Sequence, residues 1–240
     1  MPFKINSSEE FERLMEALSH DLVHANIHYR LHRDLQDSVQ EYEREFNQSN
    51  TFWWLTLNAH FDACLFRLCR AYDQNKNALH LRNWLEIIQE NLHLFDIDAF
   101  KVRLKENSFV ESLAASARKP DPKQLAADIE FASNNNPLVK KLTILRNKVI
   151  VHRDIKLLIQ DRNFWQEQSL KYAEIDTLLE QGVAILNRHS NLFKALSYSK
   201  QIVGHDDYKY VLASIRADRE RREAEYEEEL RRIQHGRAVT

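Results

Sequence analysis

Apolar residues recur along this chain at steps of three and four, separated by charged and amide residues, and that rhythm predicts helices almost throughout. Ser7, followed three residues later by Glu10 and then by Phe11, sets a capping-box start for a first helix running to about Phe46, with a break at 47–50. A second helix over Phe52–Tyr72 carries Trp54, Leu57, Phe61, Leu65, Leu68 and Tyr72 on one face, the pattern of a buried element. Beyond the loop 73–77, Leu81, Leu85 and Ile88 mark a third helix from Ala78 to about Leu92, and Asp98 caps a short one reaching Leu104. Residues 107–137 are the least regular, with RKPDPK and SNNNP on either side of a short helix near 123–132, and they read as a surface insertion. Pro137 then opens a fourth helix as its first residue, with Leu138, Leu142, Leu145 and Val149 inward and an end near Arg153 or Asp154. After a loop to about Lys171, Ile175, Leu178, Leu179, Val183 and Leu186 define a helix from Ala173 to Leu196.

The tail differs in kind. Between Arg216 and Arg232, 13 of 17 residues are charged, which leaves too few apolar positions for a coiled-coil seam. Opposite charges four apart (Asp218/Arg222, Arg219/Glu223, Arg221/Glu225, Glu227/Arg231, Glu228/Arg232) instead support a solvated single helix.

Composition sharpens the picture. With only 3 Gly and 4 Pro in 240 residues, the chain lacks the punctuation that hairpins require, so the expected fold class is all-α. The expected architecture is an antiparallel helical bundle over residues 1–200, with the charged helical extension at 201–240. A hydrophobic fraction of 43% supplies a core, and a net charge of −2 provides no whole-protein field toward nucleic acid or membrane. Cys64 and Cys69, five apart on one helix and so about 140° round its axis, cannot pair with each other. Their usage fits a reducing compartment. The absence of an apolar leader or a membrane-length apolar run gives a cytoplasmic expectation with no membrane partner.

Three groups of residues carry candidate chemistry. His20, His24, His28 and His32 stand four apart, a spacing at which two histidines can share a metal, but the row drifts round the helix and no third ligand accompanies it. No metal or other cofactor is therefore expected. Asn58 and Asp62 lie four apart beside the apolar face of the second helix, placed to support a base on a neighbouring one. The fourth helix holds Lys140, Lys141, Arg146, Lys148, Arg153 and Lys156 against the single acid Asp154, the strongest local excess of positive charge and so the best phosphate-binding surface. Within it Asn147 follows Arg146, and His152 ends the apolar stripe. Arg13 and His20 repeat the bare Arg-to-His spacing, but Leu14 follows that arginine and no basic patch surrounds it.

The stretch LRNKVIVHRD resembles the Arg-polar-x(3–5)-His motif of the HEPN superfamily, and its Leu-Arg-Asn-Lys…His-Arg-Asp form looks like the abortive-infection AbiU-type branch. FRLCRAYDQNKNALHLRNWL, at 66–85, looks like that branch's arginine/tyrosine-aspartate helix end followed by a leucine-rich helix. The resemblance covers roughly residues 10–195. It implies a dimerising helical bundle and a metal-independent endoribonuclease. Arg146 would hold the scissile phosphate, His152 would act as general acid or base, and Asn147 would orient one of them. Lys148, Arg153, Lys140 and Lys141 would bind the RNA backbone, with Asp62, Asn58 and Asp154 in support. A homodimer is implied, with an antitoxin or defence-system protein as a further partner. In some members a tyrosine two residues after the histidine is adenylylated; Asp154 stands there in this chain. The alternative within the same family is a catalytically silent module that binds a nucleotide or protein. On an ideal helix, residues six apart sit about 9 Å apart axially and about 120° round. Arg146 and His152 of one chain therefore diverge, and a two-fold partner is needed to bring arginine and histidine together.

Overall fold

Phe11, Met15, Leu18 and Leu22, stepping four, three and four along α1 (Ser8–Ser38), are all fully buried. Ser7 accepts from the Glu10 amide through its hydroxyl (3.2 Å) and opens the helix as its sequence requires. The computed structural model describes residues 4–150, 169–199 and 204–237. Within them every regular element is helical: α1, α2 (Glu43–Gln48), α3 (Asn50–Ala71), α4 (Leu81–Glu90), α5 (Ile97–Arg103), α6 (Val110–Ala114), α7 (Pro122–Phe131), α8 (Pro137–Leu145), α9 (Tyr172–Lys194) and α10 (Tyr208–Arg237). A 3-10 turn spans Leu92–Phe95, and a π-helical turn, Arg146–Ile150, continues α8. No helix among the described residues is long and apolar enough to cross a membrane.

The chain divides into two units, one of residues 1–28 and 62–200, the other of 29–61 and 201–240. The first is an all-α bundle whose centre is aromatic: the Phe11 ring lies 4.7 Å from Phe193 and 5.8 Å from both Trp84 and Phe95, centroid to centroid. The α9 stripe predicted from spacing, Ile175, Leu178, Leu179, Val183 and Leu186, is buried in full. Segment 107–137 is more firmly tied down than a surface insertion. Arg118 donates to the Asn191 carbonyl (3.0 Å) and lies over the Phe100 ring. Helix α7 buries Leu125, and its Asp128 accepts from Arg188 and His189 of α9 (2.5 and 2.9 Å). A buried carboxylate needs such partners, so α7 belongs to the bundle's core.

In the second unit Leu35, Phe46, Trp53 and Leu212 form a cluster of their own. It explains why the first helix ends at Ser38 and not at Phe46. Eleven residues of unbroken helix would separate Leu35 from Phe46 by about 16 Å axially. A turn at 39–42, closed by the Tyr42 amide on the Ser38 carbonyl (3.0 Å), returns Phe46 to the cluster. The same cluster selects Trp53 over Trp54: the former is 5% exposed and the latter 62%, so the first turn of α3 is rotated from the expected stripe, which holds at Leu68 and Tyr72. The start of α10 packs here through Leu212, and its Arg216 and Arg219 both reach buried Glu45 (3.2 Å each). Farther along, Arg219/Glu223, Arg222/Asp218 and Arg231/Glu227 pair four apart, whereas Arg221 turns back to Asp218 (2.5 Å).

Candidate functional site

Helix α8 starts on a side-chain cap, Asn136 accepting from the Leu138 amide (2.9 Å) with Pro137 in the first turn. Val139, Leu142 and Leu145 are buried, with Leu138 only half-buried, so the inward face is shifted by one residue at its start. Lys141 bridges to Glu174 of α9 (2.7 Å), which fixes α8 against α9 and commits this lysine to a carboxylate; Lys140 is exposed. Burial acts to raise the Glu174 carboxyl, but Lys141 and the Lys171 amide outweigh it and hold Glu174 below its ordinary range.

At Arg146 the α-helical ladder widens into the π turn, a deviation often found at functional positions. Over 146–150 the backbone departs from ideal α-helical spacing. Arg146 forms an ion pair with Asp73, the two side chains being 24% and 19% exposed, and donates through Nε to Asn147 Oδ1 (2.9 Å). Asn147 and Lys148 are exposed. His152, Arg153, Asp154 and Lys156 lie outside the described residues, as does the side chain of Val149.

Asp73 was not among the expected site residues, yet its position is closely determined. Tyr72 at the end of α3 is fully buried and donates to the Leu178 carbonyl of α9 (2.6 Å). Gly182 allows this approach, since a Cβ there would come within 2.8 Å of Leu22 and 2.9 Å of the Tyr72 hydroxyl. One residue on, Asp73 Oδ1 accepts from the amides of Gln74 (2.6 Å) and Asn75 (3.1 Å), an Asx-type turn. Gln74 Nε2 donates to the Tyr72 and Ala132 carbonyls (3.0 Å each). Burial alone would raise the Asp73 carboxyl; the Arg146 guanidinium and the two amides overcome it and hold Asp73 below the ordinary carboxylate range. His80, buried beside this loop, caps α4 by accepting from the Asn83 amide (3.2 Å), and burial holds its pKa down despite Asp73 nearby. The sequence signal for Asp73 was the AYDQ helix end, already noted as part of the family pattern.

Asn58 and Asp62, the expected supporting pair, are exposed on α3, and Asn58 donates back to the Trp54 carbonyl of its own helix (2.9 Å). The acid that meets Arg146 is therefore Asp73. The histidine row also separates. The His20 and His24 rings lie 4.0 Å apart, whereas His32 bonds the Leu57 carbonyl (3.0 Å) and packs on Phe61. Among the described residues no group of three or more His, Cys, Asp or Glu is placed to hold a metal ion.

The chain belongs to the HEPN_AbiU2 family (AbiU2), whose model matches residues 8–221, and is thus an abortive-infection HEPN-type module. No curated protein and no solved structure matches it.

Proposed function

We propose that the protein is a metal-independent endoribonuclease of a phage-defence or toxin–antitoxin system, acting as a homodimer at a composite site. The observation that carries this reading is the clamped Arg146: Asp73 takes one edge of the guanidinium, Asn147 takes Nε, and part of the side chain remains open. A guanidinium held in this way is pre-oriented for a phosphate, which it binds through its remaining donors. In the reaction the ribose 2′-oxygen attacks phosphorus and the bond from phosphorus to the 5′-oxygen breaks. His152 accepts the 2′-hydroxyl proton or supplies one to the leaving oxygen, and a 2′,3′-cyclic phosphate results. Arg146 stabilises the charge that grows on the phosphoryl oxygens. An antitoxin or another defence-system protein would restrain the activity.

A second reading is favoured by the same pair. Asp73 already neutralises Arg146, as in a silent module that uses this position to bind a nucleotide or protein partner. Cleavage of mixed RNA in EDTA by the parent, Arg146→Ala and His152→Ala proteins, each checked for intact folding, separates the two. Cyclic-phosphate ends from the parent and loss of cutting in both variants are the expected result. Variants that cut as well as the parent would remove the catalytic assignment, and no cutting by the parent would favour the silent module.

A further inference from the structure

Phe66 is 51% exposed on α3, beside a charged cluster. The Arg70 guanidinium lies 5.9 Å from its ring centre, and Arg70 Nε bonds Asp21 (3.2 Å) while more than half of its side chain faces solvent. Arg67 reaches the other Asp21 oxygen (3.5 Å) and also His20 Nδ1 (3.3 Å). Two arginines thus share one carboxylate, with His20 beside Arg67, and the positive excess is open to solvent through Arg70. The effect is felt at His24, whose pKa is lowered by burial first and then by His20 and Arg67.

This patch stands on the helix that leads to the candidate site: Phe66 lies five residues before Ala71, the last residue of α3, and Asp73 two residues beyond it. The turn continues past Ala71, with the Tyr72 amide on the Leu68 carbonyl (2.9 Å) and the Asp73 amide on the Arg70 carbonyl (3.3 Å). Phe66 therefore lies about 8 Å along the axis from the end of α3, the end beyond which Asp73 meets Arg146.

We propose that Phe66, Arg70 and His20 form a docking platform for single-stranded RNA, on which a base near the scissile position stacks against Phe66 while Arg70 and His20 hold its phosphate. An exposed ring beside an exposed guanidinium suits unpaired bases, because a duplex keeps its bases stacked within. The inference rests on the RNA-cutting reading and can be tested apart from it with a labelled oligouridine whose sugars are 2′-O-methylated, which cannot be cut by 2′-oxygen attack. In fluorescence anisotropy, Phe66→Ala weakens binding about tenfold and Phe66→Trp restores it. Arg70→Gln weakens binding and flattens its salt dependence. Phe109→Ala, which removes another exposed ring on the N-terminal side of α6, leaves binding unchanged. Binding that depends on Phe66 in a protein that cuts no RNA would keep the platform and remove the nuclease reading. Arg146-dependent cutting with Phe66→Ala and Arg70→Gln binding like the parent would do the reverse. A parent that does not bind the oligouridine overturns the platform. So does Phe66→Ala turning a dimer into a monomer on size exclusion, which would give this face to a second copy of the chain.

Discussion

Replacing Gly182 by alanine sets two effects of known size against each other. In mid-helix the change favours folding, because alanine gains about 0.8–1.0 kcal/mol over glycine in helix propensity. Against this, the new methyl would sit 2.8 Å from Leu22 Cδ2 and 2.9 Å from the Tyr72 hydroxyl, both closer than side-chain carbons approach other atoms. Both neighbours are fully buried, so neither can swing into solvent. Relief requires overpacking at about 1–3 kcal/mol, and displacing Tyr72 also strains its bond to Leu178, worth about 0.5–1.5 kcal/mol. The net expectation is a loss of about 1–3 kcal/mol, or roughly 2–12 °C in Tm for a chain of this size. Urea denaturation followed by far-UV circular dichroism measures it directly. Tyr72→Phe removes one of the two clashing atoms, so the cost of Gly182→Ala must be smaller in that background, a coupling that a double-mutant cycle reads out. If Gly182→Ala stabilises the protein by the propensity gain alone, the packing of α9 against Tyr72 has been misjudged.

Two further outcomes follow from charge placement. Asp128 is 4% exposed and accepts from Gln124, Arg188 and His189, so Asp128→Ala leaves three cationic or polar groups without this acceptor and costs about 3–5 kcal/mol in the same denaturation assay. Burial would raise this carboxyl, but its bonds to His189, Gln124 and Arg188 prevail and its folded pKa is lowered. Its stabilisation is therefore complete above the unfolded value of about 3.9 and is lost as pH falls through the folded pKa. The gap between the parent and Asp128→Asn must narrow on acidification, and a gap that widens would contradict the assignment. Asp73→Asn keeps an oxygen for the Gln74 and Asn75 amides but removes the charge facing Arg146. It should cost about 1–2 kcal/mol of stability and at least about tenfold in RNA cleavage through misplacement of the guanidinium; faster cleavage would mean that Asp73 restrains Arg146.

Much of the fold could be read where one face alone decided burial. The α9 stripe and the Asn136–Pro137 start of α8 are of this kind, since local spacing and local capping fix them without reference to distant residues. Two decisions were not local. Trp53 and Trp54 are adjacent and equally apolar, so periodicity could not choose between them; the separate cluster with Leu35, Phe46 and Leu212 did. The turn at 39–42 likewise exists because Phe46 must return to Leu35, a requirement that appears only once the chain is folded. At the site, Arg146 and Asn147 were found by motif, and Asn58 and Asp62 were expected beside the apolar face of α3 as supporting residues, whereas both are exposed. The acid that meets Arg146 stands just beyond that helix's end, where Tyr72 and Gly182 set its position.

The clamp itself bears on how such a site can work. Because Asp73 is held below the ordinary carboxylate range, it stays ionised wherever the bundle is folded near neutral pH, and protonation cannot release Arg146. A phosphate must then either displace the carboxylate or share the guanidinium with it. Displacement is opposed by the Gln74 and Asn75 amides, which anchor Asp73 independently of Arg146. Sharing is permitted by the planar fork of the guanidinium, which carries five donors and can serve two anions at separate edges. In that arrangement Asp73 disfavours loosely bound anions by repulsion and leaves the geometry intact for one that is also held by contacts outside the clamp. A flanking phosphate on Arg70 and a base on Phe66 would supply the binding energy that a bare phosphate lacks. The neutralised arginine is thus compatible with a nuclease that acts on extended strands and ignores free phosphate, and the clamp becomes a source of selectivity.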